Sequence, residues 1–257
     1  MRRLVYFLLL LVSASSCISK KELVYMQNSN LKETVPTAIP SSYKAYKLQA
    51  NDVLSIKVQS LEPEISNIYN IIPPSSAFGF ADPGTMFLSG YTVDEQGNVN
   101  LPNVGKLKVD GLTVSQTQDL IQRNVDRYIT NATVVVKLIS FRVNVLGEVQ
   151  RPGQYFIYND RATVLEALSM AGDLSRGANR ENVKLVRQTP TGSEVVLIDL
   201  KDPNLVQSQY YYVMPNDVLY IEPSEALVKR DNLVGLNVAT LALSVVSTAV
   251  LLLNYFK

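Results

Sequence analysis

Asn51-Asp52-Val53-Leu54-Ser55-Ile56 returns near the other end of the chain as Asn216-Asp217-Val218-Leu219-Tyr220-Ile221. Each copy sets a turn-forming Asn-Asp pair before an alternating apolar run, the pattern of a strand entered from a tight turn. A second echo surrounds two helix starts. Gly105-x-Leu107-x-Val109 leads to Thr113-Val114, and Gly153-x-Tyr155-x-Ile157 leads to Thr163-Val164. Repeats of this kind speak for fold rather than chemistry. They predict an α+β protein with two small modules in series, each a mixed sheet wrapped around one helix.

Working outward, the first module reads as 43–140. A strand is expected within 47–58, an irregular surface loop over 60–89, and a hairpin in which 91–93 and 99–101 flank a turn at Glu95-Gln96-Gly97-Asn98. Thr113 with Gln116 is a capping-box pattern opening a helix that should run to about Tyr128. A β-branched strand is expected over 132–139. The second module, 141–224, repeats the grammar. A strand over 142–149 precedes the Arg151-Pro152-Gly153 turn. Thr163 with Glu166 opens a helix that Gly172 should close. A hairpin across Thr191-Gly192 and strands over 210–213 and 218–221 complete it.

The chain ends carry two membrane signals. Between Asp231 and Lys257 there is no charged residue. The apolar stretch over 232–256 is long enough for a helix of about 36 Å, which spans a bilayer with some tilt. Asn237, Thr240, Ser244, Ser247 and Asn254 recur along it at spacings of three and four, within an arc of roughly 100°. Two readings fit this stripe: a face that meets water or a neighbouring helix, or hydroxyls that bond back to their own helix. At the other end, Arg2 and Arg3 precede an apolar run over 4–12 and the small residues Ala14-Ser15-Ser16. This is a secretory signal peptide over 1–16. Cys17, the one cysteine, stands where a lipobox places its acylated residue, although Ala14 replaces the usual Leu and ordinary cleavage also fits. Residues 17–42, polar with Pro36 and Pro40, read as a lipidated N-terminus and an extended tether.

Composition narrows the chemistry. The formal net charge is +1 and no Lys/Arg-rich run occurs, so nucleic acid is not an expected partner. With no His and one Cys there is no imidazole base and no usual zinc set, and no P-loop, HExxH or GxGxxG pattern appears. No cofactor and no catalytic residues are expected. Asp52, Asp94, Glu95, Glu148 and Asp217 fall at turns, where such residues serve the backbone. Tyr210-Tyr211-Tyr212 has two readings: rings that stack on sugars, or a strand whose rings pack. Arg151 and Arg161 either contact acidic sugars or a neighbouring subunit, or are solvated surface.

Tyr46-Lys-Leu-Gln-Ala-Asn-Asp-Val-Leu-Ser-Ile56 and Val93-Asp-Glu-Gln-Gly-Asn-Val-Asn-Leu-Pro102-Asn-Val-Gly105 resemble the export domain of polysaccharide export lipoproteins of the outer membrane. Val143-Asn-Val-Leu-Gly147-Glu-Val-Gln-Arg-Pro152-Gly153 and Pro215-Asn-Asp-Val-Leu219 are similar to a soluble-ligand-binding β-grasp module. The resemblance implies two β-grasp-like modules followed by a transmembrane helix. It implies a homo-oligomeric ring, octameric in the best-known relatives, whose terminal helices form a barrel through the outer membrane. Capsular or exopolysaccharide would pass through it from an inner-membrane co-polymerase or chain-length regulator, without enzymatic chemistry. The polar stripe would then face the pore, and Ile18 after Cys17 would permit transfer to the outer membrane. The alternative is a membrane-anchored periplasmic sugar- or ligand-binding module with no channel of its own.

Overall fold

The computed structural model describes residues 23–27, 38–71, 90–189, 192–225, 227 and 234–255. The signal peptide, Cys17 and most of the expected 60–89 loop lie outside these residues. The described chain forms two α+β units with separate apolar cores, one around Leu54, Ile56 and Ile121, the other around Val145, Leu168 and Leu219. Leu138 packs against both.

In the first unit, β1 (Val53–Gln59) is central, flanked by β2 (Tyr91–Thr92) and β5 (Thr133–Leu138). Both pairings are antiparallel, with Ile56 opposite Val136 and Leu54 opposite Tyr91. A mixed sheet was the expectation; among the described residues this sheet is antiparallel throughout. The reason is the route of the chain. Helix α2 (Val114–Val125) carries it back across the sheet, so β5 returns opposed to β1. A short helix α1 (Pro63–Ser66) follows β1.

The capping box at α2 forms as expected. The Thr113 side chain accepts from the Gln116 N–H, and Gln116 Oε1 accepts from the Thr113 N–H at 2.9 Å. The helix buries Thr117, Ile121 and Val125 against the sheet and ends at Val125, a turn earlier than expected. Its polar side chains also cover the open edge of β5. Gln122 Oε1 accepts from the Val134 N–H at 2.8 Å and Gln118 Oε1 from the Val136 N–H at 3.1 Å. An unpaired strand edge is a site for unwanted pairing, and two glutamines remove it here.

The turn at 95–98 forms, but its hairpin differs from the expected one. β3 (Asn98–Leu101) pairs with β4 (Gly105–Lys108), and β2 pairs with β1. Val93 is already taken: its N–H donates to Asp52 O at 2.8 Å and its carbonyl accepts from the Asn51 N–H at 2.9 Å.

The second unit is a five-stranded sheet in the order β10-β9-β12-β6-β7. Its strands are β6 (Arg142–Gly147), β7 (Gly153–Phe156), β9 (Ala178–Thr189), β10 (Gly192–Ile198) and β12 (Val218–Pro223). β12 runs parallel to β6, with Val218 opposite Asn144, and antiparallel to β9, so this sheet is mixed as expected. β9 is longer than the sequence suggested because it is paired along both edges. At the crossing of β6 and β12, Gly147 adopts φ +88° and a Cβ there would lie 2.0 Å from the Ile221 carbonyl oxygen. Only glycine fits. β8 (Ala162–Thr163) leads into helix α3 (Val164–Met170), with its own complete capping box between Thr163 and Glu166. Gly172 follows at φ +78°. β11 (Tyr212–Val213) pairs with β8 and is shorter than the expected 210–213 strand.

Helix α4 (Val234–Tyr255) closes the chain. Its side chains are described at 240–252 and 254–255, and all of them are exposed. Among the described residues no helix is long and apolar enough to cross a membrane.

The second unit rests on a buried ion pair. Arg187 donates from Nε to Asp217 Oδ1 at 3.0 Å and from Nη2 to Oδ2 at 2.7 Å. The side chains are 8% and 0% exposed. Replacing Arg187 with Leu leaves a carboxylate buried without its cation, and should cost about 3–5 kcal/mol in denaturant unfolding. Removing Lys137, whose pair with Asp160 is largely exposed, should cost under about 1 kcal/mol. Equal losses would refute this ranking.

Candidate functional site

The two echoed turns are one device used twice. Asn51 and Asn216 both sit in the left-handed region, at φ 72° and 67°. Asn tolerates this conformation better than other residues with a side chain. The following aspartates are buried, 3% and 0% exposed. Asp52 Oδ2 accepts from the Gln49 N–H at 2.9 Å, and Asp217 Oδ2 from the Met214 N–H at 2.7 Å. Each turn is also pinned to a neighbouring segment at two points. Asn51 and Asp52 bond to Val93, while the Asn216 N–H donates to Arg142 O and the Asn144 N–H donates to Asp217 O.

Both turns open onto the seam between the units. A cavity of about 340 Å³ there is lined by Asn51, Asp52 and Tyr46 from one side and by Arg142 and Asn216 from the other. Tyr46 donates to Asp52 Oδ2 at 2.9 Å. Ser140, in the three-residue link between β5 and β6, accepts from the Val53 N–H at 3.0 Å. Burial pushes the Asp52 carboxyl up, and the bonds from Gln49, Tyr46 and Ser140 only partly offset it. Burial likewise raises Asp217, more than Arg187 lowers it. The Tyr46 phenol is raised by burial and then by the Asp52 charge.

A second cleft lies along the same seam, about 370 Å³. The segment before β1 crosses it and is stitched to the second unit. Lys44 Nζ donates to Gln209 Oε1 at 2.8 Å, Ser42 Oγ donates to Gln207 O, and Ser41 Oγ donates to the Tyr212 hydroxyl at 3.3 Å. The Tyr43 and Tyr212 rings meet edge to face with centroids 5.0 Å apart, and the Arg161 guanidinium sits 5.6 Å from the Tyr43 centroid. Tyr210 and Tyr211 instead pack against the second core, and Arg187 lies over Tyr210. The sequence treated the three tyrosines alike; in the fold Tyr212 alone of the three lines the cleft, with the Tyr211 ring edge to face against it at 5.4 Å between centroids. The fold separates the arginines as well. Arg151 donates to Met170 O at 3.2 Å at the end of α3, whereas Arg161 lines the cleft.

The expected tether is not free where it is described. The Tyr25 hydroxyl donates to Asp173 Oδ1 at 2.5 Å, its ring lies 5.7 Å from the Arg180 guanidinium, and the Met26 and Gln27 N–H groups donate to Leu200 O and Lys201 O. No periodicity marks residues 23–27, and no local pattern signals this contact.

The terminal-helix stripe can be followed in part. Ser244 Oγ donates to Leu241 O at 2.8 Å, Ser247 Oγ to Ser244 O at 2.9 Å and Thr248 Oγ1 to Ser244 O at 2.8 Å. These hydroxyl hydrogens are satisfied within the helix, and their oxygens keep lone pairs for another partner. Thr240, Ser244, Ser247 and Asn254 are exposed; the Asn237 side chain lies outside the described residues, as does Cys17. The carboxylates expected to serve the backbone do so at Asp52, Asp94 and Asp217. Asp94 Oδ1 accepts from the Asn98 N–H at 2.7 Å. Glu148 Oε2 accepts from Ser175 Oγ at 2.5 Å. Among the described residues no group of His, Cys, Asp or Glu is arranged to hold a metal ion.

These features define a protein of two α+β modules joined at a short seam, each entered through the same buried Asp turn. Residues 40–139 match the family model described as polysaccharide biosynthesis/export protein, and residues 141–221 match the SLBB domain. The chain belongs to the polysaccharide export family and carries an SLBB module. It is 31% identical over 180 residues to the EPS I polysaccharide export outer membrane protein EpsA of Ralstonia solanacearum, a match covering 66% of this chain and 44% of the relative. It is 33% identical over 136 residues to the protein of the same description from Ralstonia nicotianae, covering 51% and 35%. The matched region thus spans less than half the length of these curated relatives.

Asp52 supplies a test at the seam. Its carboxyl keeps its proton to a higher pH in the folded chain than in the unfolded one. The native state therefore binds more protons, and stability falls as pH rises from the ordinary carboxylate value, near 4, through the raised one. Asp52→Asn should flatten this fall in urea midpoints measured across pH. An unchanged slope would assign it elsewhere.

Proposed function

We propose that this chain is the subunit of an oligomeric channel that carries capsular or exopolysaccharide from the periplasm across the outer membrane to the cell surface. The observation that carries this reading is helix α4. An export module and an SLBB module are followed by 22 helical residues, and every described side chain among them is exposed. Leu241, Leu243, Val245, Val246 and Leu251 are each at least 60% exposed. One chain alone leaves that apolar surface uncovered, and surface of this kind marks contact with lipid or another subunit. Over its whole length, 232–256, the stretch is long enough to span a bilayer. A ring of copies would turn the apolar sides to lipid and to each other, and the stripe of Asn237, Thr240, Ser244, Ser247 and Asn254 to the lumen. Uncharged hydroxyls and amides hydrate a sugar polymer without holding it by charge.

Acylation at Cys17 would fix the N-terminus in the periplasmic leaflet after removal of 1–16, with the modules in the periplasm facing an inner-membrane co-polymerase. The similar Ralstonia proteins are polysaccharide export outer membrane proteins, which supports both the cargo and the membrane. The family is one of export rather than of catalysis, and no reaction is proposed.

Deletion of 233–257 should abolish surface polysaccharide while residues 38–225 stay folded; undiminished export would remove the channel role. For the lumen face, Ser244→Cys and Leu243→Cys are compared in the otherwise unchanged protein, where an acylated Cys17 offers no free thiol. A membrane-impermeant thiol reagent should modify the first and spare the second. Equal modification would refute the assignment of the stripe.

A further inference from the structure

We infer that the seam cleft is a binding groove for a short stretch of acidic carbohydrate polymer. The inference rests on the export reading for the nature of the cargo, and on the cleft's own chemistry for the site. A further cavity of about 430 Å³ adjoins the 370 Å³ cleft, and the two share Asn159, Asp160, Arg161 and Tyr212. Together they form one trough of the size that small-molecule sites occupy.

Its walls suit sugar rings. Tyr43 and Tyr212 come from different modules and hold each other edge to face. Both remain part-exposed, Tyr43 at 37%. A tyrosine ring offers an apolar face to the axial C–H groups of a pyranose and a hydroxyl to its oxygens, and loses little freedom in doing so. Around the rings stand amides and charges that bond to hydroxyl groups, among them Asn159 and Gln209.

Three cations stand against two carboxylates in the trough. Lys44, Lys137 and Arg161 line the cleft with Asp160 as the opposing carboxylate. The Lys137–Asp160 pair is 3.6 Å long with both side chains more than half exposed, so a ligand carboxylate can replace it at small cost. At the outer end, Glu166 has its carboxylate engaged by the Thr163 N–H at 2.7 Å and Oγ1 at 3.1 Å. The excess is cationic, and Arg161 is the group best shaped to clamp a carboxylate. Because the two aromatic walls belong to different modules, an occupied groove would also hold those modules together.

The full-length protein in detergent micelles, titrated calorimetrically with hexagalacturonate and with maltohexaose, tests this. The acidic hexamer is expected to bind saturably and the neutral one at least tenfold more weakly. Arg161→Ala and Tyr212→Ala should each weaken the acidic hexamer at least tenfold, and Tyr212→Phe should retain it. Arg161 is exposed, so its variant reads binding without a folding defect. No binding of either sugar, or binding indifferent to Arg161, overturns the inference. Equal binding of the two hexamers overturns the acidic assignment. The export reading fails separately. Sugar binding with normal export after deletion of 233–257 removes the channel and leaves the groove, while absent binding with export lost on deletion does the reverse.

Discussion

A carboxylate taken out of water must find donors, and each half of this protein is built around meeting that demand. Asp52 and Asp217 are buried at the foot of the central strand of their modules, where an unpartnered charge would cost several kcal/mol. Each takes the N–H of the residue three positions before it, which closes the turn and holds an asparagine in the left-handed region. The turn then hands the strand to its neighbours at fixed points, Val93 in one module and Arg142 with Asn144 in the other. Register follows from there, since a slip of one residue would turn every core side chain outward. The modules differ in how they complete the carboxylate. Asp52 uses the Tyr46 hydroxyl and Asp217 uses Arg187, so the second is the more strongly tied to one partner.

The seam inherits its shape from these turns. The link between the modules is only residues 139–141, with Ser140 bonded to Val53 and Leu138 packed into both cores. Residues 41–46 cross the seam a second time and attach to 207–212 through side-chain hydrogen bonds and the Tyr43–Tyr212 contact. Two crossings restrain rotation more than a single link does. What they leave open between them is a trough with aromatic walls and an excess of cations.

Helix α4 poses the opposite problem. The modules satisfy their buried polar groups internally, whereas the helix presents apolar side chains on every described face. Its serine and threonine hydroxyls bond back to their own backbone, which lets the same stripe face water, lipid or a second helix without an orphaned donor. The requirement for a covering phase therefore comes from the leucines and valines, and the direction of the stripe from whatever covers them.

Local features were legible in the sequence because local chemistry decides them. Both capping boxes, the Gly172 helix end and the paired Asn-Asp turns need only residues a few positions apart, and all are present. Two separate cores, each packed by one capped helix, match the repetition. Pairing was not legible in the same way. The choice of β4 rather than β2 as the partner of β3 depends on Val93 being claimed by a turn some forty residues earlier. The antiparallel order of the first sheet depends on the route of α2. The split fate of Tyr210, Tyr211 and Tyr212, the strap at Tyr25 and the meeting of Tyr43, Arg161 and Tyr212 likewise join residues far apart in the chain. By itself the sequence determined which segments turn, cap and alternate, since those depend on neighbours within a turn or a strand. Only the tertiary structure decided which edges pair and which side chains line the seam, because burial and partner geometry at long range select among pairings that the local pattern allows equally.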